Sequence, residues 1–241
     1  MNILPDDTWN TFVPYSGLHF FTVCVCALLI AALVAAGRSL RAHEAAMRWA
    51  LGIFALVYWL SYNMWWNRNG LELATGLPLH ICDLSGVIAP LALLTLNCWM
   101  RATLYFWAFA LTSQGFIQPN LTAGPAMPVF WWFWAQHTII LGYAVFDLTV
   151  LSFRPGWQDL RRAYVVGAIY LCIVVPPDIR LGADYGFLGD LPPDKIPPFV
   201  AALGPWPARA FISVALGAAA FLLVELPWQF ADRRWRQRSA T

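Results

Sequence analysis

Charged side chains are scarce in this chain. Lys, Arg, Asp and Glu supply 12% of its 241 residues, against 60% hydrophobic residues and a mean hydropathy of +0.58. That balance excludes an ordinary soluble domain and predicts an all-α, polytopic membrane protein. Cysteine is sparse too, and its spacing excludes two common uses. Cys24, Cys26, Cys82, Cys98 and Cys172 lack zinc-ligand spacing, and Cys24-Val25-Cys26 is one residue short of a CxxC redox motif. An odd count placed inside apolar stretches also argues against a disulfide framework. Before the first apolar run there are Asp6 and Asp7 but no basic residue, so no cleavable signal peptide is expected. Internal repeats and a separate soluble domain are both missing from the pattern, and residues 1–241 read as one transmembrane domain. No metal, diffusible cofactor or nucleic-acid partner is expected.

What the sequence does have is apolar length. Seven stretches approach the ~20 residues a membrane span requires, at about 18–36, 49–66, 79–98, 101–118, 129–151, 160–176 and 206–228. Fourteen tryptophans suit the many interfacial positions of such a bundle. Only Trp99-Met100-Arg101 separates the third and fourth stretches, which predicts a tight antiparallel hairpin. The sixth ends at Pro176-Pro177, and an outer loop over 177–205 follows. Arg38, Arg41 and Arg48, then Arg101, then Arg154, Arg161 and Arg162, then Arg233, Arg234, Arg236 and Arg238 fall on one side. These eleven face four on the other, Arg68, Arg180, Lys195 and Arg209. The positive-inside rule therefore predicts an outer N-terminus and a cytoplasmic C-terminus.

The stretch Leu77-Pro78-Leu79-His80-Ile81-Cys82-Asp83-Leu84-Ser85 opens the third span with an imidazole, a thiol, a carboxylate and a hydroxyl. Such groups in a span are a functional hypothesis by default. At 1.5 Å per residue, Cys82 falls roughly 5 Å, and His137 about 12 Å, below the outer ends of their helices. Gln114 and Gln118 share a face at the outer end of the fourth span, and Tyr62, Asn63 and Asn67 close the second. His19 opens the first on the same side. The inner halves hold little beyond Asp147 and Glu225, which read as structural. A polar cavity open to the outer leaflet is the expectation.

A thiol attacks only as a thiolate, so a reactive Cys82 needs a base. His80 and Asp83 share a helical face, but Cys82 is turned about 160° from them, so a histidine from another helix, such as His137, is better placed. That gives a Cys–His nucleophile completed by packing, with Gln114, Gln118 or Asn63 as donors to an oxyanion. Beside it stands the blander reading: buried cysteine is a common inert filler of apolar helices, and a histidine can serve a structural interhelical bond. A third possibility uses the same cavity for transport or ligand reception, with His80 and Asp83 as the proton or ligand pair. The fourth is an assembly partner without activity.

Several segments carry a family resemblance. Leu77 through Asp83, Tyr105-Phe106-Trp107 with Gln114 and Gln118-Pro119, Phe130-Trp131 through Gln136-His137, Asp184-Tyr185-Gly186-Phe187-Leu188 and Leu203-Gly204-Pro205-Trp206-Pro207 resemble the bacterial YwaF-like integral membrane proteins. That group is similar to the eukaryotic transmembrane protein 164 family of lipid acyltransferases, and more distantly to the androgen-induced hydrolases of fatty-acid esters. The resemblance implies a bacterial cytoplasmic-membrane protein acting on a phospholipid or lysophospholipid. Through it the catalytic cysteine falls on Cys82 and the histidine on His137. His80 and Asp83 orient or polarise, while Gln114, Gln118, Asn63, Tyr62, Asp184 and Tyr185 are the residues expected around the substrate. The tyrosine motif of the family usually begins with Asn, where this chain has Asp184.

Overall fold

The computed structural model describes the backbone of residues 9–238 and the side chains of residues 9–230. Asp6 and Asp7, and the side chains of Arg233, Arg234, Arg236 and Arg238, lie outside the described residues. The chain is helical, and among the described residues an isolated antiparallel bridge joins Thr11 to Ala123. In order, the helices are α1 (Gly17–Ser39), α2 (Glu44–Trp66), α3 (Ile81–Thr95), α4 (Cys98–Phe106), α5 (Gln114–Ile117), α6 (Pro128–Thr149), α7 (Trp157–Leu181), α8 (Pro198–Ala201) and α9 (Ala208–Arg238). A π-helical turn, Trp107–Thr112, joins α4 to α5.

Gly17–Ser39, Arg41–Trp66, Trp157–Leu181 and Ala208–Phe230 are long and apolar enough to cross a membrane. Most of their surface is exposed, as expected of helices that face lipid. The inner layer consists of α3, α4 with its π turn, and α6. Here α3 packs on α2, α4 and α6, while α4 packs on α7 and the π turn touches α3, α6 and α9. The core forms where these inner helices meet, around Ala89, Leu93, Leu104, Ile140 and Phe146.

Two expected boundaries move. The α3–α4 turn is Leu96-Asn97 rather than Trp99-Met100-Arg101. Leu96 takes a left-handed conformation (φ 53°), and the Asn97 side chain caps α4 by accepting from the Trp99 amide at 2.8 Å. A side-chain cap satisfies orphan donors, so the new helix starts there and Trp99 lies in its first turn. Likewise α7 continues through Pro176-Pro177 to Leu181. Proline removes a helical hydrogen bond but keeps a helical φ, so the helix ends only at Gly182, in the left-handed region (φ 63°). The connection to α9 correspondingly begins after residue 181.

At the end where α3 stops, charges are paired. Arg101 reaches both oxygens of the buried Asp147, with Nη2 to Oδ1 at 2.8 Å. Arg48 donates to the Leu93 carbonyl at 2.8 Å. Glu225 is fully buried in α9 and accepts from Gln229.

Candidate functional site

Helix α3 begins at a polar corner. His80 is its N-cap in extended backbone (φ −65°, ψ 151°), followed by Ile81, Cys82 and Asp83 as the first three helical residues. The His80 carbonyl accepts from the Asp83 and Leu84 amides at 2.9 and 3.1 Å. The Ile81 and Cys82 amides come too early in the helix to find an acceptor within it. The Cys82 thiol lies near its own amide and that of Asp83. Asp83 turns back toward the His80 amide, the position of a capping-box acid.

Three neighbouring helices hold this corner by its carbonyls. Trp59 of α2 donates its indole N–H to the Asp83 carbonyl at 2.8 Å. Gln136 of α6 donates Nε2 to the Cys82 carbonyl at 3.0 Å. Tyr170 of α7 donates its hydroxyl to the Leu79 carbonyl at 3.0 Å. Close approach needs Gly86: a Cβ there would lie 2.5 Å from Gln136 Nε2 and 2.8 Å from Trp59 Cδ1. Tyr62 is near enough to Asp83 and Cys82 to feel both electrostatically.

His137 is buried next to Gln136 on α6. Its Nδ1 is 2.8 Å from the Phe133 carbonyl. A carbonyl can only accept, so Nδ1 carries a proton, and in the neutral ring Nε2 holds the lone pair. Phe133 stacks on the ring at 4.2 Å and Phe116 meets it edge-on at 6.1 Å. The Nε2 edge faces Gly115, where any Cβ would collide with the imidazole. The ring is therefore locked in one tautomer and one orientation. No hydrogen bond joins the imidazole to the Cys82 thiol. The corner thus holds a thiol and a carboxylate at a helix start, and Gln136 ties its backbone to the helix that carries the His137 imidazole. Among the described residues no group of three or more His, Cys, Asp or Glu is arranged to hold a metal.

The family model for TMEM164 matches residues 9–225, most of the chain. The chain belongs to the TMEM164 family. It is an integral membrane protein of that family, with apolar helices of spanning length. No curated protein matches it, and no solved structure does.

The expected site residues of this TMEM164-family protein are distributed unevenly. Cys82, Asp83 and Tyr62 meet at the corner, with Gln136 linking it to the helix of His137. His80 leaves the helix and packs its ring edge-on against Tyr185 at 5.2 Å; its links to Asp83 are through the His80 backbone rather than the imidazole. The expected shared face is lost because an N-cap residue has non-helical backbone. Gln114 and Gln118 are exposed, and Gln118 lies outside α5 (φ −136°, ψ 71°). The π turn explains this difference. Ser113 bonds back five residues to the Ala108 carbonyl at 2.9 Å, which inserts one residue and rotates everything after it. Asn63 spends its amide on the Trp59 carbonyl of its own helix at 2.8 Å.

Asp184 and Tyr185 belong to the connection that covers this end of the bundle. Asp184 Oδ1 accepts from the Gly189 amide at 2.9 Å. Tyr185 is fully buried, donates its hydroxyl to the Leu73 carbonyl at 2.8 Å and accepts from the Leu77 amide at 3.2 Å. Its own amide is held by Asp178 Oδ1 at 2.8 Å. Arg209 fastens the far side through the Gly189 and Leu191 carbonyls at 2.8 and 2.7 Å. The segment is a hydrogen-bonded cap resting on His80. Asp178, Trp59 and Tyr170 carry no motif of their own, and Gln136 stood in the Phe130–His137 segment of the resemblance with no role assigned to it.

Proposed function

We propose that this protein moves a fatty acyl group from a membrane phospholipid to a lysolipid or to water. Cys82 is the nucleophile and His137 the base. The observation that carries the reading is the Gln136-His137 pair on α6. Gln136 holds the backbone of Cys82, and the next residue presents a neutral imidazole whose free nitrogen is fixed by the Phe133 carbonyl. Membership of the TMEM164 family supports it.

In this scheme His137 Nε2 takes the thiol proton as Sγ attacks the ester carbonyl carbon. The Ile81 and Cys82 amides, at the positive end of α3, receive the oxyanion. The ester C–O bond breaks, the lysolipid oxygen takes the proton from His137, and a Cys82 thioester remains. Water or a lysolipid hydroxyl then gives a proton to His137 and attacks the thioester, releasing the sulfur. Catalytic hydrogen bonds are often loose before substrate binds and tighten in the complex, so the thiol closes on the fixed imidazole around the ester. The Arg distribution favours the outer leaflet for this chemistry.

The test uses purified wild-type protein and Cys82→Ala with an isotope-labelled phospholipid and a lysolipid, both products being followed by mass spectrometry. Labelled acyl chain should move in the wild type and stay in place with Cys82→Ala. A mutant that turns over normally removes Cys82 from the mechanism. An inert wild type removes the enzyme reading altogether.

A further inference from the structure

Beside the corner lies a cavity of about 210 Å³ between α7, α9 and the π turn. We propose that it seats one acyl chain of a membrane lipid. The inference rests on the acyl-transfer reading and adds where the substrate's chain is held.

One end of the cavity is lined by Ile81, next to Cys82 in the chain, and by Gly186 and Leu188 of the cap. Its far end is closed by Tyr164 and Phe221, where the Tyr164 hydroxyl is tied to the Ala218 carbonyl at 2.8 Å. Along α9 the wall runs from Ser213 to Phe221, about 12 Å at 1.5 Å per residue. A narrow apolar slot of that length suits a hydrocarbon chain better than a compact polar solute.

Its surroundings narrow the choice of occupant. Among the described residues, α7 and α9 are two of the four helices long and apolar enough to cross a membrane, and most of their surface is exposed, so the medium outside the slot is lipid. Gly167 and Gly217 lie on opposite walls. A Cβ at Gly167 would meet nothing within 4 Å, while one at Gly217 would come 3.5 Å from Leu111. The slot therefore stays open because side chains are missing there. Of the aromatic polar groups in its lining, the Tyr164 and Tyr170 hydroxyls are spent on the Ala218 and Leu79 carbonyls, while the buried Trp107 indole N–H has no acceptor. An orphan donor in an apolar slot matches a ligand with a long chain and an ester oxygen. With the carbonyl carbon at Cys82, the chain attached to it leads past Ile81 into the slot.

The test is photolabelling of the full chain in phosphatidylcholine vesicles with a phosphatidylcholine that carries a diazirine in its sn-2 chain. It is run in the Cys82→Ala background, so that the probe is not consumed. Label should concentrate on peptides containing 164–171 and 213–221, and fall several-fold in Gly217→Leu. Ala219→Leu, on the exposed face of the same helix, should leave it unchanged. Gly167→Leu is the second cavity variant, and the melting temperature of each variant confirms folding. Label spread evenly over α1, α2, α7 and α9, or indifferent to both glycine substitutions, overturns the seat. Concentrated label with an inert wild-type enzyme leaves the seat standing and removes the transfer reading; transfer with even label does the reverse.

Discussion

The two ends of α3 treat polar groups in opposite ways. Where the helix stops, the Arg101 guanidinium covers both oxygens of Asp147 and its face lies over Phe153 at 4.6 Å. Where the helix starts, backbone carbonyls are pinned by Trp59, Gln136 and Tyr170 while reactive atoms are left unengaged. The His137 Nε2 edge belongs to this second group. The buried Ser85 hydroxyl and Trp107 indole also lack partners in this half of the bundle. Buried polar groups are usually satisfied, and clusters of exceptions need a reason. The end where α3 stops reads as architecture; the end where it starts is the candidate site.

Substitutions at the two ends should therefore fail differently. Asp147→Ala leaves Arg101 without its partner in the bundle, and loss of one member of a buried pair costs about 3–5 kcal/mol. The melting temperature in detergent should drop sharply, and Arg101→Met with Asp147→Leu should recover much of it. If Asp147→Ala melts normally but loses acyl transfer, the division between the ends is wrong.

Gln136→Leu gives a smaller and different loss. The Cys82 carbonyl keeps its place in the helix, so stability should fall by only about 1 kcal/mol. Cys82 loses its link to α6, and a misplacement worth about 1.4 kcal/mol in the transition state would slow transfer roughly tenfold. Steady-state rates beside melting curves decide this. Equal effects on both would make Gln136 a plain structural tie.

The smallest effect is expected at the cap. Burial raises the Asp184 carboxyl from its ordinary 3.8 to about 6, against the opposing pull of the Gly189 amide and the Arg209 charge. Between those values the folded state holds a proton that the unfolded state has released. Stability from this group should therefore be greatest below pH 4 and decline as pH rises to 6. Asp184→Asn keeps an acceptor for the Gly189 amide and removes the titration. Melting curves from pH 4 to 7 should separate the two proteins by a few degrees, at roughly 2–4 °C per kcal/mol. Parallel curves would mean that Asp184 does not titrate in this window.

Much of the inner layer was legible in the sequence, though its contacts were not. Apolar length marked the helices, and the imidazole, thiol and carboxylate within Leu77–Ser85 marked the corner. Gln136 was visible as a polar residue in an apolar helix, but nothing in the pattern distinguished it from Gln114 or Gln118. Asp178 was hidden because Pro176-Pro177 read as the end of the span.

The sequence by itself determined an all-helical membrane protein, because residues this poor in charge can satisfy their backbone in lipid only within helices. It also supplied Cys82 and His137 as the residue types able to do acyl chemistry. Only the tertiary structure decided their neighbours. Helical periodicity tells which residues share a face of one helix, but the rotation of that helix against the next is set by packing. Here the packing depends on features remote from the motif: a π turn that rotates Gln114 and Gln118 outward, a glycine at 86 that admits Gln136, and a Tyr185 ring that draws His80 away from Asp83.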